Sequence, residues 1–404
     1  MSLSRADLRQ YLLVTGNYWA FTLTDGALRM LVVLHFHQLG YSPLAIAMLF
    51  LFYEFFGVVT NLVGGWLGAR IGLNRTMNIG LGLQVIALLM LTVPATMLSV
   101  PWVMAAQALS GIAKDLNKMS AKSSVKALAQ ADAEGRLFRW VAVLTGSKNT
   151  LKGVGFFLGG ALLSLFGFTG ALWLMIVMLA LVLTGSLLLL RQDLGRSKAK
   201  PKFSEMFSPS VAVNRLSAAR LFLFGARDVW FVVALPVYLS SQFGWDFWQV
   251  GGFLASWVIA YGLVQAGAPW LTGRRSGRVP GPAEAVGWTG LLALVPALIA
   301  LLLAQAPQPV LLGGLLLFGL LFAINSSLHS YLIVSYAKEE GTSMDVGFYY
   351  MANAAGRLLG TMLSGWVFQA WGLEACLYVS TLLLLTATGL TLLLPKHHPA
   401  RSAG

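Results

Sequence analysis

The residues best able to do chemistry in this sequence are charged side chains set inside long apolar runs. Asp25 and Arg29 lie in the first run, Glu54 in the second, and Lys114, Asp115 and Lys118 in the fourth, with Lys122 near its end. Lys148 and Lys152 follow in the fifth, Arg220, Arg227 and Asp228 in the seventh, His329 in the tenth and Arg357 in the eleventh. An ionisable group in hydrocarbon costs about 3 kcal/mol or more, so these side chains must face a polar interior or each other. Arg29, Lys114, Lys118, Lys148, Lys152, Arg220, Arg227 and Arg357 stand against Asp25, Glu54, Asp115 and Asp228, eight cations to four acids. Spacing pairs Asp25 with Arg29 at i,i+4, Asp115 with Lys118 at i,i+3, and Asp228 with its neighbour Arg227. Several cations are left over. A buried cation without compensation is costly, so the missing negative charge is expected from a small anionic substrate.

The types of cation matter. Arginine grips phosphate or carboxylate with two parallel hydrogen bonds, which singles out Arg29 and Arg227 as substrate-binding residues. Lys114, Lys118 and Lys122 step by four residues and drift only about 40° per step around a helix. Lys148 and Lys152 repeat that step on the next run. Two facing lysine rows would form an electropositive funnel for cytoplasmic anions, with Lys114, Lys118, Lys148 and Lys152 meeting the substrate. Lys122, nearer the inner headgroups, is expected to snorkel. Asp25, Asp115, Asp228 and Glu54 are candidates either for proton coupling or for partnering arginines, and the sequence leaves both open. His329 reads as a hydrogen-bonded packing residue, or alternatively as a proton site. His35 and His37 are two residues apart and do not face one another on a helix. No metal site and no cofactor is expected.

The elements that must position these groups are helices in a membrane. Of 404 residues, 57% are hydrophobic and 11% charged, less than half the charge of an ordinary soluble domain. Apolar stretches fall near 11–37, 43–69, 76–95, 101–124, 139–165 and 171–190, and again near 213–240, 248–272, 284–304, 310–336, 345–370 and 373–394. Each is long enough to span a bilayer. The first run after Arg9 is too long and too charged for a cleavable signal. Alternate loops are free of Lys and Arg or rich in them: Arg70 and Arg75, Arg136 and Arg139, Arg191 to Lys202, Arg274, Arg275 and Arg278, Lys338, and Lys396 with Arg401 fall on one side. Basic loops stay cytoplasmic, which predicts both termini inside and a multi-pass protein of the inner (cytoplasmic) membrane. The net charge of +13 is spread between and within the spans, so the bilayer, not nucleic acid, is the expected partner. The single cysteine, Cys376, excludes an internal disulfide.

The polar stretch 191–212 divides the chain into residues 1–190 and 213–404, six spans each, as a linker between two transporter halves. Leu39-Gly40-Tyr41 resembles Phe243-Gly244-Trp245, with Gly244 lying 204 residues after Gly40. The expected fold is all-α, twelve transmembrane helices in two pseudo-symmetric bundles. Spans three, six, nine and twelve hold no interior charge, which marks them as lipid-facing scaffold. That pattern resembles the major facilitator superfamily. So does Gly65-Trp66-Leu67-Gly68-Ala69-Arg70-Ile71-Gly72-Leu73-Asn74-Arg75, which is similar to the superfamily's glycine-rich cytoplasmic loop, with Ala69 in place of its usual acid. Organophosphate exchangers of the superfamily also carry arginines on the first and seventh helices.

A more specific resemblance runs from about residue 10 to 395. Asn17-Tyr18-Trp19-Ala20-Phe21-Thr22-Leu23-Thr24-Asp25-Gly26-Ala27-Leu28-Arg29 is similar to the first helix of organoarsenical-efflux permeases, the ArsJ type. Ser110 to Lys122, Thr145-Gly146-Ser147-Lys148 and Phe224-Gly225-Ala226-Arg227-Asp228-Val229-Trp230 resemble them too. The resemblance implies export of 1-arseno-3-phosphoglycerate, made by a partner glyceraldehyde-3-phosphate dehydrogenase, and hence arsenic resistance by efflux. Three other readings compete: an organophosphate or phosphate exchanger, a drug–proton antiporter, and a membrane-embedded enzyme. Drug–proton antiporters favour acidic pockets, and no catalytic set of His/Asp or Ser/His/Asp sits on a span, so no enzyme activity is expected.

Overall fold

The computed structural model describes residues 5–41, 49–128, 134–190, 202, 207, 210–272, 280–337 and 342–395. Most of the linker 191–212 and the basic residues Arg191, Arg196, Lys198, Lys200, Arg274, Arg275, Arg278, Lys338, Lys396 and Arg401 lie outside the described residues, as does the side chain of Arg136. Among the described residues the structure is helical throughout, with no strand. The helices are α1 (Arg5–Gln38), α2 (Leu51–Ile71), α3 (Leu73–Leu91), α4 (Val100–Leu128), α5 (Glu134–Leu189), α6 (Val211–Phe231), α7 (Ala234–Phe243), α8 (Phe247–Thr272), α9 (Pro282–Leu302), α10 (Pro307–Tyr336) and α11 (Thr342–Leu392), with one 3-10 turn at Ala95–Met97.

Six helical stretches among the described residues are long and apolar enough to cross a membrane: Leu137–Leu189, Val211–Phe243, Trp248–Thr272, Pro282–Leu302, Pro307–Tyr336 and Thr342–Leu392. On α1 and α4 the charged residues that mark the candidate site also lower the apolarity. Two of the six are far longer than one crossing needs, and each is interrupted. Gly167 (φ 68°) breaks α5 and Gly372 (φ 78°) breaks α11. A side chain at either position would be strained in that conformation. Gly40 (φ 84°) and Gly244 (φ 67°), the two glycines of the sequence repeat, adopt the same handedness. The seventh apolar run, read from sequence as one span, is broken between α6 and α7. There the backbone N–H of Ala234 donates to Ser364 Oγ at 3.1 Å, which satisfies a donor that the break exposes.

The chain divides into two compact units. One comprises Met1–Ala133, Ser147–Phe207 and Ala337–Met351, the other Glu134–Gly146, Ser208–Tyr336 and Ala352–Gly404. In the first, α4 packs against α1, α2 and α3. Asn17 donates to Ser186 Oγ (2.9 Å), which in turn donates to Asn78, a buried polar link joining α1, α5 and α3. In the second, α10 packs against α6, α8 and α9. Its core is aromatic: Trp230 meets Phe318 edge-on at 4.9 Å, and Trp257 stacks on Tyr261. The outermost apolar side chains concentrate on the runs free of charge, among them Leu181 (69% exposed) and Leu188 (78%) on α5 and Leu301 (62%) on α9. In water such surface would be a liability; against lipid tails it is favourable.

Candidate functional site

In the first unit the charged residues of α1, α2 and α4 converge. Gly111 allows α4 to rest on the backbone of Tyr53, since a Cβ there would stand 2.6 Å from the Tyr53 carbonyl oxygen. Residues three and four further along a helix share that face, so Lys114 and Asp115 are delivered beside Tyr53. Lys118 Nζ reaches Asp115 Oδ1 at 2.5 Å and Lys114 Nζ reaches Oδ2 at 3.7 Å. One carboxylate, 2% exposed, therefore serves two lysines. The expected Asp115–Lys118 pair is present, with Lys114 added to it. Lys114 Nζ also lies 3.8 Å from the centre of the Tyr53 ring, and Lys118 Nζ 4.7 Å from that of Tyr350. An ammonium over an aromatic face is held by the ring quadrupole where water is excluded.

Two expectations are corrected here. Asp25 and Arg29 do not pair. Arg29 leans over Phe50 (5.1 Å), which caps α2, and Tyr53 (5.2 Å) within it, and bonds Glu54 at 3.4 Å, while Asp25 accepts a 2.7 Å hydrogen bond from the Tyr53 hydroxyl. Neighbours on α2 outcompete the i,i+4 contact because they offer both an acid and two ring faces. Lys122 does not snorkel. It is 2% exposed and its ammonium lies 5.6 Å from the Tyr350 ring centre. Lys148 and Lys152 are partly buried on α5. Their stretch of α5 meets α1 closely at Gly26, where a Cβ would stand 2.6 Å from the Lys152 carbonyl oxygen, and Trp19 donates to Ser147 Oγ at 2.8 Å.

In the second unit the same arrangement is built from arginines. Asp228, its side chain 1% exposed, accepts from Arg227 through Nε and a terminal nitrogen, both at 2.6 Å. Its other oxygen meets Arg357 Nε at 3.3 Å. The expected Asp228–Arg227 pair is thus present, and again one carboxylate carries two cations. The Arg227 guanidinium is flanked by Phe224, Phe322 and Phe231 at 4.9, 5.4 and 5.8 Å. Arg220 is buried lower in the helix sequence, donating to Asn353 Oδ1 (2.9 Å) and the Ser326 carbonyl (3.3 Å) over the Phe224 ring. His329 is fully buried, but neither ring nitrogen reaches a protein partner among the described residues, so it is not the hydrogen-bonded packing histidine expected.

Sequence reasoning found the charges and missed the groups that set their geometry: Tyr53, Tyr350, Asn353 and the phenylalanines around Arg227. Tyr53 directly precedes Glu54 and Phe224 lies three residues before Arg227, so an aromatic residue beside a charge within an apolar run was the available signal. Chemically, each cluster sets two cations on one buried carboxylate beside aromatic faces, and in the first the cations Arg29, Lys114 and Lys118 stand with three acids, Asp25, Glu54 and Asp115. Cations held in this way can bond the oxygens of an anion.

Comparison with known proteins places this geometry. The Major Facilitator Superfamily model matches residues 12–344. No curated protein matches the chain. Among solved structures, the human organic anion transporter MFSD10 (TETRAN) superposes with a TM-score of 0.77 at 17% identity, over 95% of this chain and 99% of that one. FucP, described as the E. coli fucose:proton symporter, reaches 0.74 at 12% identity, over 97% and 100%. The proton:xylose symporter XylE gives 0.72 at 13%, over 97% and 98%. At these identities the likeness is one of fold. With the family model covering most of its length and its interior lined with charge, this multi-pass membrane transporter belongs to the Major Facilitator Superfamily.

Proposed function

We propose that the chain exports an organic polyanion, 1-arseno-3-phosphoglycerate, across the bacterial inner membrane, and so confers arsenate resistance together with a glyceraldehyde-3-phosphate dehydrogenase. The observation that carries the reading is the repeated motif of two cations on one buried carboxylate, Lys114–Asp115–Lys118 and Arg227–Asp228–Arg357. Each trio has a formal charge of +1 that an anionic cargo compensates. Arg29, Arg227, Lys114, Lys118, Lys148 and Lys152 are the residues proposed to meet it. An organic anion transporter with the same fold is consistent with that charge sign. Only the sequence resemblance at Asn17–Arg29, Ser110–Lys122 and Phe224–Trp230 names arsenic. A cargo bearing a phosphate and a pentavalent acyl arsenate needs no thiol, which suits a chain with one cysteine. The glycine breaks at Gly167 and Gly372, each inside a helix longer than one crossing, support the count of twelve crossings, and the polar stretch 191–212 and the basic loops support two halves with both termini cytoplasmic.

The test is growth of an arsenate-sensitive bacterium expressing the chain with or without the dehydrogenase. Resistance should require both proteins. Equal resistance in the two strains removes the organoarsenical reading, and uptake of labelled glycerol 3-phosphate by vesicles in its place makes the chain an organophosphate exchanger.

A further inference from the structure

Asp115 uses only one of its oxygens in a hydrogen bond. Lys118 Nζ donates to Oδ1 at 2.5 Å, whereas Oδ2 has Lys114 Nζ at 3.7 Å and no hydrogen-bond donor among the described residues. A carboxylate oxygen buried without a donor is costly. A second group in the same condition comes from α1. Tyr18 is 1% exposed, and its hydroxyl also has no hydrogen-bond partner among the described residues. α1 packs against α4, and the Tyr18 hydroxyl lies within electrostatic range of Tyr350, Asp115 and Asp25. Tyr350 in turn covers Lys118, with its ring centre 4.7 Å from Nζ. All these residues belong to the first unit. A buried acceptor and a buried phenol that can donate thus share one neighbourhood with two lysines, whose side chains keep 12% and 11% exposure.

Asp115 does not suit a bare anion. An anion seated on Lys114 and Lys118 brings its oxygens up to Asp115 Oδ2, and two negatively charged acceptors repel. A hydroxyl carried beside the anionic group reverses the sign of that contact. Its O–H donates to Oδ2, and its oxygen accepts from the Tyr18 hydroxyl. We propose that Asp115 and Tyr18 form a hydroxyl subsite beside the lysines, so that the transporter selects an anion bearing an adjacent alcohol, a hydroxy acid or a polyol phosphate, over one without it. This rests on the polyanion reading above and narrows it. Both groups are almost fully enclosed, so a cargo lacking the hydroxyl leaves them unpaired. Sites built to hydrogen-bond a substrate hydroxyl reject the analogue that lacks it for this reason. The penalty for the unpaired groups amounts to about a 10- to 100-fold loss of affinity.

The experiment measures binding to the purified full chain in detergent by calorimetry, at one pH. The probes are 3-phosphoglycerate and its 2-deoxy analogue, 3-phosphooxypropionate, which carries the same two anionic groups. The wild type should bind 3-phosphoglycerate about 10- to 100-fold more tightly than the analogue. Tyr18→Phe should lower the affinity for 3-phosphoglycerate about tenfold and leave that for the analogue unchanged, a split that general structural damage does not produce. Should that variant fail to fold, the 2-fluoro analogue is measured on the wild type instead. Fluorine keeps the bulk but donates nothing, so this compound should bind as weakly as the deoxy one. Equal affinity for the first two probes, as when water fills the subsite, overturns the inference and leaves the polyanion reading standing. So does a Tyr18→Phe variant that weakens both probes equally, or a fluoro analogue as tight as 3-phosphoglycerate. A wild type that binds neither of the first two probes removes the polyanion reading and this inference with it.

Discussion

Removing the carboxylate of Asp115 tests the logic of the lysine cluster most directly. In Asp115→Asn the shape is retained, but Lys114 and Lys118 lose the acid they share at 3.7 and 2.5 Å. With an effective dielectric constant of about 20, each attraction amounts to roughly 4–7 kcal/mol before desolvation is counted. Most of that is offset by the cost of burying the charges. Breaking a buried pair from one side is therefore expected to cost about 3–5 kcal/mol. For a protein of this size that is a fall of about 4–6 °C in apparent Tm. The assay is the fraction of detergent-solubilised protein that stays monodisperse after heating. The double variant Asp115→Asn, Lys118→Met removes one of the two cations that lose their shared acid in the single variant, so it should recover about half of the loss, a non-additivity that marks a direct interaction. An Asn variant as stable as the wild type, or a double variant no better than the single, would refute the shared-carboxylate account.

Three further outcomes follow from the same contacts. Arg29→Lys and Arg227→Lys keep the charge but lose the planar fork, and each should lower transport in inverted vesicles about tenfold while the protein stays inserted and monodisperse; normal rates in both would make these arginines structural partners of Glu54 and Asp228. Because Lys122 is buried beside Tyr350, Lys122→Gln should weaken the apparent affinity of transport as much as Lys114→Gln, read from initial rates against substrate concentration. In α11, Gly347→Val places a side chain where even a Cβ meets the Asn61 carbonyl oxygen at 2.6 Å and Gly65 at 2.8 Å, so it should destabilise the protein by about 1–3 kcal/mol, whereas Gly82→Ala, with nothing within 4 Å, should not.

Which parts could be read from the sequence depended on how local the deciding interaction was. Apolar length was enough to locate the six stretches long and apolar enough to cross a membrane, but not the break within the seventh run. The repeat at Gly40 and Gly244 showed in three residues and reappears as a shared backbone conformation. Asp115–Lys118 and Asp228–Arg227 were legible because their partners are one helical turn apart or adjacent. Asp25–Arg29 satisfied the same spacing rule and failed, because the choice was made by Phe50, Tyr53 and Glu54 on another helix. Arg357 could not be assigned to Asp228 from sequence at all, since 129 residues separate them. Lys122 was misjudged for a related reason. Distance from the helix end suggests headgroups, yet Tyr350, from near the far end of the chain, covers it.

Two cations on one buried carboxylate, found in each unit, also give the protein an electrical property. Lys114–Asp115–Lys118 and Arg227–Asp228–Arg357 each sum to one formal positive charge. A charge carried through the whole of a 100 mV potential exchanges about 2.3 kcal/mol with the field. Replacing a trio's lysine or arginine by an uncharged residue therefore changes the charge that any movement of that trio along the field carries, and the voltage dependence of transport should change with it.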